Sequence, residues 1–402
     1  MTLNIETVQP LMRCSIGLVT QLCSNVINPN EYALGYQWVH VKEVLGDLVH
    51  EALKAHDITL GKQYGGSGID IRLLLSTNDN DDNYYEVCAN HILSLQWSAR
   101  KIKKLFKQNK LIIFDYTEGG YYISKLLTQY PTEIKQARDI IYNCMCSVDN
   151  SGDWNLNSIP ANKRLEIPAF IYGTGTYYQC NPFSDTPLNK PLNKILLPIH
   201  KARRWRVEVL TIMEEKGLLD QTDWSLHYIN NSDVTKIGSF HSSPALVNIL
   251  HENEIYSDTD SAFIKKYLDE LPKNLIGDCI DKFSDHMQLH NAWQEYNWYI
   301  GVETHYDKML ITEKTLKGYA LGVPTISLSA QNFNSYLERY GFQIDGDYDT
   351  GETLKERVEA AIEHMQTTSG DKDKAKHNQM LLKNNTFLAS LIVDPLVKLK
   401  RP

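Results

Sequence analysis

Short apolar runs of strand length recur along the chain, separated by stretches whose apolar residues fall three and four apart. That alternation predicts parallel β-α-β units. In the first half, Ser15 to Leu22, Ile69 to Ser76, Leu111 to Asp115, Ile140 to Cys146 and Glu166 to Tyr172 read as strands. Trp38, Val41, Leu45, Leu48, Val49 and Ala52 follow a helical period over 38–56. Val87, Ile92, Leu95, Ile102, Leu105 and Phe106 predict a long helix over 84–110, and another helix starts at Tyr121. Gly61 to Gly68 reads as a glycine-rich loop, better explained by a flexible turn than by a ligand.

Cys180 to Asn193 carries three prolines and no apolar period, so 181–193 reads as a linker. It divides an N-terminal domain over 1–180 from a second domain over 194–370, with a closing helical segment over 371–402. In the second domain Lys194 to Ile199 is a strand, followed by a helix to Gly217 and a strand from Trp224 to Ile229. Residues 240–292 read as helix or loop, with Ser257 and Asp258 as capping signals. Trp298 to Val302 is a strand that ends in Glu303. Thr312-Glu313-Lys314-Thr315 starts a helix whose buried side is Leu316, Tyr319 and Ala320, and which Gly322 ends. Val323 to Leu328 is the next strand, and Asn332 to Tyr340 a helix closed by Gly341. Helices over Leu354 to Gln366 and Lys372 to Leu399 close the chain.

Several positions carry candidate chemistry. A helix start above the carboxyl ends of parallel strands attracts anions. There Glu313 can accept from a vicinal diol, and Lys314 offers a point charge to a phosphate. An ordinary capped helix with a solvated Glu-Lys pair explains the same residues. His200 to Arg206 (HKARRWR) is the densest basic cluster, at a strand-to-helix turn. Arg203 and Arg206, one turn apart, could clamp a diphosphate, and cations oppose the helix dipole there. Asp115 and Glu118 sit at a strand's carboxyl end, where a carboxylate can take a proton from an attacking hydroxyl; a cap or loop hydrogen bond is the plainer alternative. Lys103, Lys107 and Lys110 share one face by their spacing, as a phosphate-tracking stripe or a solvated helix end. Asp79 and Asp81 form a D-x-D pattern that holds a divalent ion in some transferases, although capping explains it more simply. Asp258-Thr259-Asp260 has the same two explanations.

Glu303, the Thr312-Glu313-Lys314 triplet after eight intervening residues, Gly322-Val323-Pro324 and the later Tyr336-Leu337 and Gly341-Phe342 form one ordered set. That set resembles the donor-binding half of GT-B glycosyltransferases, specifically the fucosyltransferase-type family and phage-encoded glycosyltransferases with a TEK motif. The resemblance covers about the last half of the chain. It implies an α/β protein of GT-B type, two Rossmann-like domains facing each other across a cleft, with the final helix crossing back to the first. It implies a nucleotide-sugar donor, UDP- or GDP-linked, and inversion at C1. By match, Glu313 would bind the ribose, Lys314 the diphosphate, and Glu303 would face the donor beside Thr312. The resemblance also places a basic segment such as Arg203 to Arg206 against the donor phosphates. With cations at the diphosphate, no metal and no other cofactor is expected.

Net charge is −8 over 402 residues, which opposes bulk attraction to nucleic acid or anionic membrane but permits a local basic face. No apolar run approaches a membrane span, and MTLNIETVQPLMRCS carries no signal-peptide pattern, so a cytoplasmic protein is expected. Seven scattered cysteines read as buried reduced thiols. The acceptor stays open between a 5-hydroxymethylpyrimidine of viral DNA, flipped from the stack, and a saccharide or glycan. Two rival readings remain: a metal-dependent GT-A enzyme using Asp79 and Asp81, and a non-catalytic nucleotide or nucleic-acid binding protein.

Overall fold

The computed structural model describes residues 36–64, 70–74, 83–88, 111–115, 121–135, 139–142, 159–185, 192–201, 203–228, 257–267, 270 and 289–398. Ser15 to Leu22, Asp79, Asp81, Lys103, Lys107, Lys110, Glu118 and Cys144 to Cys146 lie outside the described residues. The chain divides into two compact units. The first comprises Met1–Cys180, Lys308–Ile311 and Leu382–Pro402, and the second Asn181–Asp307 and Thr312–Leu381.

Among the described residues the first unit opens with α1 (Tyr36–Ala55), whose Leu45, Val49 and Leu53 form a buried stripe. There follow β1 (Thr59–Tyr64), β2 (Asp70–Leu74), β3 (Asn83–Cys88), β4 (Leu111–Asp115), α2 (Tyr121–Gln129), α3 (Pro131–Lys135), β5 (Asp139–Tyr142), β6 (Arg164–Glu166) and α4 (Ala169–Cys180). The strands form one sheet in chain order, antiparallel from β1 to β3 and parallel from β3 to β6. Among the described strands β2 runs antiparallel to both its neighbours. The reason is loop length. The links before β2 and β3 are too short for a helical crossover, which a parallel neighbour requires. Among the described residues the unit's sheet is therefore mixed.

Three local expectations change. Residues 61–64 lie in β1 rather than a glycine loop. The stretch expected to open a long helix at residue 84 is strand β3, in keeping with its β-forming Tyr84, Tyr85 and Val87. The expected strand Glu166 to Tyr172 is mostly helix α4. That helix, AFIYGTGTYYQC, carries no charge and is buried continuously from Ile171 to Tyr177, so its apolar residues show no face. It packs on α1, and the helix Asn385–Lys398 packs on both. Cys180, at the end of α4, is exposed, unlike the buried thiols expected.

The second unit holds β7 (Ile195–Lys201), α5 (Arg204–Glu215), β8 (Thr222–Tyr228), α6 (Asp258–Lys266), β9 (Trp298–Val302), α7 (Glu313–Leu321), β10 (Thr325–Leu328), α8 (Phe333–Glu338), α9 (Leu354–Thr367) and α10 (Lys372–Leu382); α11 is the returning helix Asn385–Lys398. The segment 372–399, expected as one helix, is two. Asn384 breaks it, its side chain accepting from Phe387 N at 3.1 Å. Both ends of the expected linker are tied down. Ser184 N donates to Leu289 O at 2.7 Å, and Asn193 gives two hydrogen bonds to the buried carboxylate of Asp223.

The four strands are all parallel, in the order β10-β9-β7-β8. After β8 the chain returns to the other side of β7. The connections leaving β7 and β9 therefore run in opposite directions, which makes a topological switch point between them. Alternation along the strands sets the two faces. Ile195, Leu197, Ile199, Trp224, Leu226, Ile300, Val302, Ile326 and Leu328 join one core with α5, α6 and α9. On the opposite face α7 lies against Gly301, where an added Cβ would sit 2.8 Å from Lys314 O. Right-handed crossovers require this split of helices between faces.

Candidate functional site

The switch point is also where the sheet parts. Among the described residues the β7–β9 ladder is confined to Ile195↔Trp298 and Leu196↔Tyr299. By contrast β7 pairs with β8 up to Lys201↔Tyr228, and β10 with β9 up to Leu328↔Val302. The carboxyl halves of β7 and β9 are thus joined by side chains. Trp205 Nε1 donates to Glu303 O at 3.2 Å, and Arg206 Nη2 donates to the same oxygen at 3.4 Å. The start of α5 is so fixed to the end of β9.

Glu303 also fixes the start of α7. Its Oε1 accepts from Thr312 N at 3.0 Å and from Thr315 N at 3.3 Å. The Thr312 hydroxyl donates to Oε2 in a short hydrogen bond, and Thr312 Oγ1 accepts from Lys314 N at 3.3 Å. The orphan amides of a helix start are thereby taken up by a carboxylate from within the chain. Burial pushes the Glu303 carboxyl above its usual value, against the pull of Lys314 and of the hydrogen bonds from Thr312 and Thr315.

These contacts redraw the expected donor set. Glu303 and Thr312 are fully buried, and their hydrogen bonds position the start of α7. Arg206 is 3 % exposed, and its Nη2 holds the carbonyl at the end of β9. Arg203 stands at the N-cap of α5, half-buried, its guanidinium 5.5 Å from the Trp205 ring centre. Lys314 and Glu313 are 21 % and 14 % exposed and form an ion pair at 2.6 Å. Arg203, Glu313 and Lys314 are the members of the expected set that reach the surface here. In the first unit, Asp115 is the last residue of β4, at its carboxyl end.

Sequence reasoning gave no role to Trp205, His305, Tyr306 or Arg357. The Trp205 ring stacks on His305 at 6.1 Å and lies 5.8 Å from Tyr306. A tryptophan between arginines, and an aromatic pair two residues past the motif's acid, were the available signals. The Asp258-Thr259-Asp260 segment is a helix start: Ser257 Oγ accepts from Asp260 N at 3.1 Å and donates to Asp260 Oδ2 at 2.6 Å. Among the described residues no group of three or more His, Cys, Asp or Glu could hold a metal ion, and no helix is long and apolar enough to cross a membrane. No protein-family model and no curated protein matches the chain.

Proposed function

We propose that the chain is a nucleotide-sugar-dependent glycosyltransferase of GT-B type, with the donor bound by the second unit. The observation that carries this is the switch point of the four-stranded sheet. It joins the basic start of α5 to the Thr312-Glu313-Lys314 turn through one buried residue, Glu303. Parallel α/β sheets bind nucleotides at such a point. In this reading Lys314 and Arg203 take the donor diphosphate and Glu313 the ribose.

In the reaction an acceptor hydroxyl oxygen attacks C1 of the sugar. The bond from C1 to the phosphate oxygen breaks, and the nucleoside diphosphate leaves with the electron pair. Its growing charge is met by Lys314 and Arg203. The hydroxyl proton passes to a carboxylate, for which Asp115 and Glu118 are the candidates. Inversion at C1 follows the fucosyltransferase resemblance. The favoured acceptor is a 5-hydroxymethylpyrimidine in viral DNA, with the Lys103, Lys107 and Lys110 face tracking phosphates.

The test is a pooled reaction of the full chain with UDP- and GDP-sugars and DNA containing 5-hydroxymethylpyrimidines, followed by digestion and nucleoside mass measurement. A pentose or hexose mass gain that is lost in Lys314→Ala supports the reading. Donor cleavage without a mass gain on DNA moves the acceptor to glycans. Absence of both leaves a nucleotide-binding protein without turnover.

A further inference from the structure

The turn after β9 ends in an exposed ring that packs on its neighbours. Tyr306 is 41 % exposed. Its carbonyl accepts from Arg357 Nη2 at 2.8 Å. Arg357 is buried, and its Nη1 donates to Gly351 O at 2.9 Å and Glu352 O at 3.0 Å. One guanidinium thus locks the Tyr306 turn to the loop before α9. The ring side is fixed too, since Tyr306 tilts at 45° against Trp205, and Trp205 is tied to Glu303 O and stacked on His305.

An exposed tyrosine in a free loop would lose conformational freedom on meeting a ligand. Here the Tyr306 backbone is already hydrogen-bonded and its ring already packed against Trp205 in the folded chain. The surface it offers is specific in kind. A π-face attracts another planar ring, while Arg203 over Trp205, with Lys314 at the start of α7, attracts an anion. One ligand class carries both groups covalently joined: a nucleobase linked through a sugar to phosphate.

We infer that Tyr306 is the stacking platform for the nucleobase of the donor, backed by Trp205 and His305 and positioned by Arg357. The inference rests on the donor site proposed above. Ring faces accept purines and pyrimidines alike, so both UDP and GDP are the probes.

Calorimetric titration of the full chain with UDP, GDP and inorganic pyrophosphate tests it. The nucleotide should bind more tightly than pyrophosphate. Tyr306→Leu should weaken the nucleotide about tenfold and leave pyrophosphate unchanged, while Tyr306→Phe keeps nucleotide affinity. Arg357→Lys should lower the ratio of nucleotide to pyrophosphate affinity, a change that general loss of folded protein does not produce. Equal affinity for nucleotide and pyrophosphate overturns the stacking role and leaves the anion site standing. Equal loss of both ligands in Tyr306→Leu also overturns it. Failure of the wild-type chain to bind any of the three overturns the donor site together with this inference.

Discussion

At the scale of the residue, Glu303 decides the geometry of the site. One side chain satisfies two amides and a hydroxyl at the start of α7, and its own carbonyl holds α5. Glu303→Ala should therefore cost about 3 kcal/mol or more, because buried donors lose their acceptor. Denaturant midpoints measure it. Glu303 also sets a pH dependence. Burial raises its pKa in the folded state above the 4.5 of a free carboxyl, so the folded chain keeps the proton longer than the unfolded one. Stability from that proton is present below 4.5 and is lost as the pH rises through the raised value. Wild-type protein should lose stability relative to Glu303→Gln over that window, and parallel stability curves would contradict it.

At the scale of the element, the approach of α7 to β9 depends on Gly301. A Cβ there would lie 2.8 Å from Lys314 O and 2.9 Å from Thr315 Cα, both backbone atoms. Gly301→Ala should destabilise the second unit by about 1–3 kcal/mol and displace the Lys314 turn. Thermal melts and donor affinity should fall together. This part of the fold was legible because its signals are local. Trp298 to Val302 is an unbroken strand, Thr312 caps α7, and Gly322 ends it at φ 72°. Helix α4 was not legible, since a helix buried on all sides has no period to show. Nor was the role of Glu303, because nothing beside an acid at a strand's end reports its burial. The Tyr306–Arg357 hydrogen bond joins residues 51 apart, beyond the reach of any local pattern.

At the scale of the whole molecule, the chain end completes the first unit. Leu388, Ile392 and Leu396 of α11 are fully buried, and α11 packs on α1 and α4. Losing three such side chains removes about 2–5 kcal/mol each, comparable to a domain's whole stability. A chain cut after Leu382 should show a proteolytically labile first unit and a protected second one. Equal protection of both units would contradict this account. The central claim concerns the donor, and donor consumption tests it whatever the acceptor is. Release of UDP or GDP from a pool of nucleotide sugars should occur with the wild-type chain and fall about a hundredfold or more in Lys314→Ala. No release from any donor, or equal release by both proteins, would contradict it.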